Sequence, residues 1–120
     1  MKSAFLSYEQ WRADNAGRAE DAANLFGQYL VEHCRNKAIA TAPADSSEET
    51  RAAVVRAVDE ALHNVTDLLE GFWPLPAGDG CMAELALNVN IVRDGRLFET
   101  QPISPGKLDL PIGYWSWIEA

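Results

Sequence analysis

The densest group of side chains that could do chemistry lies between residues 59 and 70. It includes one Glu-x-x-His step of the kind that binds iron in helical bundles. Such a site needs inward-facing carboxylates from four helices and a second Glu-x-x-His step, and the sequence offers neither. At about 100° per residue the group should point away from its helix's apolar stripe, as a solvated acidic face with no metal or cofactor. Its members are Asp59, Glu60, His63, Asp67 and Glu70.

Two other residues have reactive side chains, His33 and Cys81. His33 falls on the apolar stripe of the first predicted helix, where a histidine is usually buried, although burial could also tune its pKa for a general-base or ligand role. Cys81 follows Gly78-Asp79-Gly80, and its thiol would act as a nucleophile only if a histidine approached it in space. This loop also lacks the Lys-Ser/Thr pair and the following helix of a phosphate-binding loop. We therefore predict no catalytic residue here.

Aromatic side chains are concentrated at the end of the second helix and near the C-terminus. If residues 112–118 form a strand, Trp115 and Trp117 share one face and Tyr114 lies on the other, so a two-layer core cannot bury both sets. The surplus is either covered by the 73–80 loop or exposed as a patch for dimerisation or partner binding. The aromatic residues are Phe72, Trp73, Tyr114, Trp115 and Trp117.

Three- and four-residue spacing of apolar side chains predicts two helices that position these residues. The first, over residues 8–36, follows a capping box of Ser7 and Gln10. The second runs from residue 47 to residue 70, and Gly71 ends it. Its apolar stripe contains Val54, Val58, Ala61, Leu62, Val65, Leu68, Leu69 and Phe72. The connector permits an antiparallel helical hairpin.

After the loop at residues 72–80, the apolar period changes from 3.6 to 2. Strands are predicted over residues 82–93 and 96–103, joined by a type I′ turn at Asp94-Gly95. That turn would place Ile91 opposite Phe98, Val89 opposite Thr100 and Asn90 opposite Glu99. A third, aromatic strand is predicted over residues 112–118. The sequence thus predicts an α+β fold in one domain, residues 1–120, with the helical hairpin packed on a small antiparallel sheet in two layers.

The composition bears on the partner and on the compartment. A net charge of −8 over 120 residues, with no basic segment, argues against binding to nucleic acid or to an anionic membrane. Residues 1–7 are too short and polar for a signal peptide, and no apolar run approaches 18 residues, so we expect a cytoplasmic protein. Cys34 and Cys81 are expected to be free thiols there, although a disulfide between them stays open.

Two function classes fit these features. The first is a non-enzymatic interaction module, such as an adaptor, an inhibitor or an immunity-type protein, that docks on a basic partner. The second is a small-molecule binder or enzyme with a pocket between helices and sheet near His33, Tyr114 and Trp115, with Cys81 near its mouth. A homodimer that buries the aromatic patch is compatible with either class. The residues expected to bind a partner or to line a pocket are Trp73, Tyr114, Trp115, Trp117, His33, Asp59, His63, Asp67 and Glu70.

Overall fold

The computed structural model describes residues 5–120, so the first four residues of the N-terminal stretch considered above lie outside it. The helices are α1 (Asn15–Tyr29), α2 (Asn36–Ile39), α3 (Glu48–Leu69) and α4 (Leu110–Ile118), with a 3-10 turn at Tyr8–Gln10 and a π-helical segment at Leu30–Arg35 between α1 and α2. The strands are β1 (Pro76–Gly78), β2 (Cys81–Met82), β3 (Leu87–Arg93) and β4 (Arg96–Ser104). They form two separate antiparallel hairpins, β1 with β2 and β3 with β4. The predicted α+β class is confirmed.

The first helix begins later than its capping box suggested. The Ser7 N–H does donate to Gln10 Oε1 at 3.0 Å, but the turn it closes is only the short 3-10 turn. The α-helix begins at Asn15, after Asp14, whose carboxylate accepts the N–H of Gly17 at 2.6 Å. Asp14 is the effective cap because its side chain satisfies an N–H that the first helical turn leaves free.

The long helix α3 lies one residue inside each end of the predicted range 47–70. Ser47 caps it by accepting the N–H of Thr50 at 3.1 Å. Its apolar stripe is less buried than the periodicity suggested, because Val65 keeps 43% of its surface exposed and Phe72 58%. Thr66, which lies beside the stripe and next to Leu62, has by contrast no exposed surface. Another element therefore covers this flank of α3.

That element is α4, and residues 112–118 are a helix instead of the predicted strand. Asp109 caps α4 by accepting the N–H of Ile112 at 3.1 Å, and Pro111 in the first turn suits a helix start. Leu110, Tyr114 and Trp117 follow a helical spacing of four and three, and none is more than 2% exposed. Helical geometry thus buries Tyr114 together with Trp117, which strand alternation would have separated.

The β3–β4 hairpin pairs Arg93 with Arg96 across the predicted Asp94-Gly95 turn, but the register then shifts. Phe98 is an extra residue on β4, so Ile91 lies opposite Glu99 instead of Phe98. From there each predicted pair is displaced by one residue, with Val89 opposite Gln101 and Asn90 opposite Thr100. A bulge of this kind turns the next side chain to the other face of the strand. Glu99 thereby faces the helices, and Phe98 is 57% exposed.

The core lies where α4 meets α1, α3 and the end of β4. Its buried side chains are Trp11, Ala22, Ala23, Leu30, Ile103, Leu110, Tyr114 and Trp117. The Trp117 indole packs directly on Gly27 of α1, where an added Cβ would lie 2.1 Å from the ring. Small residues on α1 therefore allow α4 to approach it closely. Within residues 5–120, no helix combines the length and the apolar character needed to cross a membrane.

Candidate functional site

A buried ion pair joins three helical segments beneath the surface of α3 and α4. The Asp59 carboxylate accepts from Arg35 Nε at 2.6 Å and from Arg35 Nη2 at 3.3 Å. The hydroxyl of Tyr114 donates to the same carboxylate at 2.6 Å. Asp59 is only 9% exposed, so the prediction that it belongs to a solvated face is wrong. The π-helical segment, α3 and α4 are thereby fixed to one another.

The electrostatics of this cluster suit a permanent structural contact. Hydrogen bonding from Arg35 holds the pKa of Asp59 below its usual value, against the opposing effect of burial. Burial, and then the hydrogen bond to Asp59, raises the pKa of Tyr114 above its usual value. Near neutral pH, Asp59 is therefore ionised and Tyr114 keeps its proton. This cluster holds α4 in place and does not exchange protons in that range.

The neighbouring residue on α4, Trp115, points outward and is 45% exposed. Its ring stacks on His63 of α3, with ring centroids 5.1 Å apart and planes 30° apart. His63 Nδ1 lies 3.7 Å from a carboxylate oxygen of Asp67, one helical turn further along α3. An exposed indole is thus supported from below by His63 and from the side by the buried Tyr114 ring, 5.4 Å away.

Glu70 and Ile112 extend this surface along α4. Ile112 lies three residues before Trp115, on the same side of the helix, and is 68% exposed. Glu70 accepts the N–H groups of Gly106 and Leu110, both at 3.3 Å, and so helps to fix the segment that leads into α4. Trp115, His63, Asp67 and Ile112 form what we call the α4 face. Of the predicted residues it unites Trp115, His63 and Asp67, with Glu70 at its border.

The other two predicted tryptophans lie elsewhere. Trp117 is 2% exposed, and its Nε1–H donates to Asn24 Oδ1 at 2.9 Å. Trp73 is 47% exposed and lines a cavity of about 290 Å³ beside the β1–β2 hairpin, together with Glu70, Met82 and Leu85. The 73–80 segment thus does not cover Trp115. Packing of α4 on α1 and α3 buries Tyr114 and Trp117, and Trp115 stays partly exposed.

His33 lies beside a different surface feature. This is an apolar groove between β3 on one side and α1 with its π-helical continuation on the other. The prediction that this histidine is buried is wrong, because it is exposed and stacks on Tyr29 with ring centroids 5.5 Å apart. The predicted pocket would have joined His33 to Tyr114 and Trp115, but those two contact His63 instead. The groove has a volume of about 360 Å³. It is lined by Leu25, Phe26, Tyr29, Leu30, His33, Cys34 and Val89.

A second ion pair, unforeseen from the sequence, holds the bulged strand against α1. Arg18 donates to both carboxylate oxygens of Glu99, from Nε at 2.7 Å and from Nη2 at 2.6 Å, and the Tyr8 hydroxyl also donates to Glu99. Hydrogen bonds from Arg18 and Tyr8 lower the pKa of Glu99 from 4.5 to about 2. Bidentate pairing of this kind is strong and directional. The ion pair between Arg18 and Glu99 therefore stabilises the register in which Phe98 is the extra residue of β4.

This pairing predicts a stability difference that depends on pH. The Glu99→Gln variant should lose about 2 kcal/mol of unfolding free energy at pH 7. Because the pKa of Glu99 is lower in the folded state, its contribution is complete above about pH 5. It is lost as the pH falls through 4.5 towards 2. Urea unfolding of both proteins at pH 7, 4 and 2.5 measures the difference, and one that stayed constant down to pH 2.5 would contradict this assignment.

No cluster of three or more His, Cys, Asp or Glu side chains in residues 5–120 is arranged to hold a metal ion. Cys34 and Cys81 are exposed free thiols in different elements, so the disulfide left open above is not formed. The sulfur of Cys81 lies 3.8 Å from the carbonyl oxygen of Asp79.

Comparison of this chain with protein-family models, curated proteins and solved structures found no match.

Proposed function

We propose that this protein is a docking module whose α4 face binds a partner protein with a basic surface. One observation supports the proposal: the Trp115 side chain is exposed to solvent and is held in a defined position. Its helix is held by four buried residues, and the indole is 45% exposed and stacked on His63. An aromatic side chain that is already ordered loses little entropy on binding, and tryptophans are common energetic centres of interfaces.

The charge around the α4 face supports a basic partner. Apart from Asp59, which is buried and paired with Arg35, residues 59–70 contain three acidic side chains and residues 109–120 contain two, with no Lys or Arg in either range. Arg35 approaches from below but is engaged with Asp59. A partner's arginine could stack on Trp115 while nearby carboxylates such as Asp67 attract its charge. Electrostatic attraction of this kind speeds association and makes it sensitive to salt.

The variant Trp115→Ala tests the proposal, and it should weaken partner binding by at least about 30-fold, which corresponds to about 2 kcal/mol. Because Trp115 lies outside the core, the variant should keep the far-ultraviolet circular dichroism of the parent. The variant Leu97→Ala is the matched control, since Leu97 is 64% exposed and lies at the distant hairpin tip. All three proteins serve as baits in a lysate, with retained proteins quantified by mass spectrometry.

A retained protein is then purified and titrated against the three baits at low and high salt. The proposal is supported if its dissociation constant rises with Trp115→Ala and with salt but not with Leu97→Ala. A partner that binds the Trp115→Ala form as tightly as the parent, or that presents an acidic surface at the contact, would refute it.

We also propose the cytoplasm as the working compartment. Both cysteines are exposed and unpaired, and such thiols persist most readily where glutathione and thioredoxin keep them reduced.

A further inference from the structure

The β3–β4 hairpin is a sheet of only two strands, so each strand has an outer edge. No strand of residues 5–120 pairs with the outer edge of β3, because β1 and β2 pair only with each other. An unpaired strand edge presents a row of backbone N–H and C=O groups that can bind another strand. Proteins usually block such edges, and the two edges of this hairpin differ in that respect.

The outer edge of β4 is blocked and that of β3 is open. The two residues that flank a two-residue turn form both backbone hydrogen bonds with each other. Along the ladder, such inward-bonded pairs alternate with pairs whose N–H and C=O groups point outward. On β4 one outward position is Pro102, opposite Asn88, and proline has no N–H to offer. Both register shifts also place their extra residue on β4. On β3 the outward groups belong to Asn88, Asn90 and Val92, and none is a proline.

The apolar groove lies directly beside the open edge. Val89 of β3 is one of its lining residues, and the others come from α1 and the π-helical segment. A strand added along β3 would therefore lie over the groove and remove its apolar surface from water. No charged residue occurs between Leu85 and Val92, although the whole chain carries a net charge of −8. Repulsion between two copies of the chain would be weakest along this edge.

The chain is also less compact, and exposes more surface, than a typical monomer of its size. Its radius of gyration is 16.7 Å, against about 14 Å for a compact domain of this length. Its accessible surface is 7871 Å², which is about 1,400 Å² more than a typical monomer of this mass exposes. A stable interface of standard size takes about 800 Å² from each partner. The excess is therefore large enough for one such interface.

We infer that β3 pairs with β3 of a second copy to form a four-stranded antiparallel sheet across the dimer. The two-fold axis passes beside Asn90, whose outward N–H and C=O groups bond to those of the second copy's Asn90. Asn88 then pairs with the second copy's Val92, and the reverse pair forms on the other side of the axis. In this register Val89 lies opposite Ile91 on the helix-facing side, so apolar side chains meet apolar side chains. The contact does not use the α4 face.

Two proline variants at directly opposed positions test the inference. Asn90→Pro removes an outward N–H from β3, and Thr100→Pro removes one from β4, so both leave the inner ladder of the hairpin intact. The parent should sediment at twice the 13.2 kDa of one chain. Asn90→Pro should raise the dimer dissociation constant at least 100-fold, whereas Thr100→Pro should stay dimeric.

Hydrogen exchange measures the same contact between the two β3 strands independently. The amides of Asn88, Asn90 and Val92 should be protected in concentrated parent protein and should lose protection on dilution. If either proline variant loses its circular dichroism, the pair Tyr29→Glu and Ile112→Glu replaces it, because both residues are exposed and only Tyr29 lines the groove. Tyr29→Glu should then be monomeric and Ile112→Glu dimeric.

A parent protein that remains monomeric at 100 µM, or a folded Asn90→Pro or Tyr29→Glu variant that dimerises as tightly as the parent, would overturn the inference. Neither result would affect the proposed docking function, which is tested at Trp115. Conversely, Trp115→Ala should leave the sedimenting mass unchanged.

Discussion

Replacing Asp59 with alanine is expected to lower the free energy of unfolding by about 3–5 kcal/mol, the largest loss we predict for any single charge in this protein. The variant leaves Arg35, whose side chain is 17% exposed, without its carboxylate, and it leaves the buried Tyr114 hydroxyl without an acceptor. An uncompensated buried charge costs far more than an ion pair contributes. Urea unfolding followed by tryptophan fluorescence measures the loss.

The neighbouring acid provides the control for this prediction. Glu60 is exposed, so Glu60→Ala should change the stability by less than about 0.5 kcal/mol. The contribution of Asp59 should also depend on pH. Because its pKa is lowered in the folded state, the contribution is present above its ordinary pKa and is lost as the pH falls through the lowered one. Equal losses for the two variants would show that the Arg35 contact is not formed in solution.

Replacing Gly27 with alanine is expected to destabilise the protein by about 3 kcal/mol, although the same change in an exposed helix stabilises by about 1 kcal/mol. The added methyl group would lie 2.1 Å from the ring of Trp117. The ring cannot easily move away, because its Nε1–H is bonded to Asn24 and it packs against Phe26 with ring centroids 6.0 Å apart. Thermal unfolding should therefore occur at a clearly lower temperature.

Gly113, on α4 itself, offers a graded comparison at the same ring. A Cβ there would lie 2.9 Å from Trp117 Cζ2, so Gly113→Ala should cost only about 1 kcal/mol. Should Gly27→Ala prove as stable as the parent, the close contact between α1 and α4 would be disproved.

The contrast between α3 and α4 shows what the sequence could reveal. The bounds of α3 could be predicted closely, because its capping serine, its long apolar period and its terminal glycine all agree. The composition of residues 112–118 favours a strand, because β-favouring aromatics dominate this short segment. The opposing signals were Asp109 as a cap, Pro111 in the first turn and the helical spacing of Leu110, Tyr114 and Trp117. In a segment of nine residues, those local signals were the better guide.

The positions of Asp59 and Glu99 depend on distant parts of the chain. The periodicity of α3 predicts an outward position for Asp59 because it does not show the covering helix α4, and the partner Arg35 is 24 residues away in the sequence. Glu99 faces inward because one extra residue enters β4, and its partner Arg18 is 81 residues away. Periodicity describes one element at a time, so it cannot show which distant charge will make an inward carboxylate favourable. For the same reason, Trp115 could be named as a candidate, but its support by His63 could not be foreseen.

The position of α4 has a consequence for how the chain folds as it is made. Tyr114 bonds to a residue 55 positions earlier, and Trp117 to one 93 positions earlier. At about 5–20 residues per second, a ribosome needs several seconds to add Trp117 after Asn24. During that time the faces of α1 and α3 that α4 will cover have no lasting partner. A nascent chain therefore shows this apolar surface to chaperones until the ribosome has made α4.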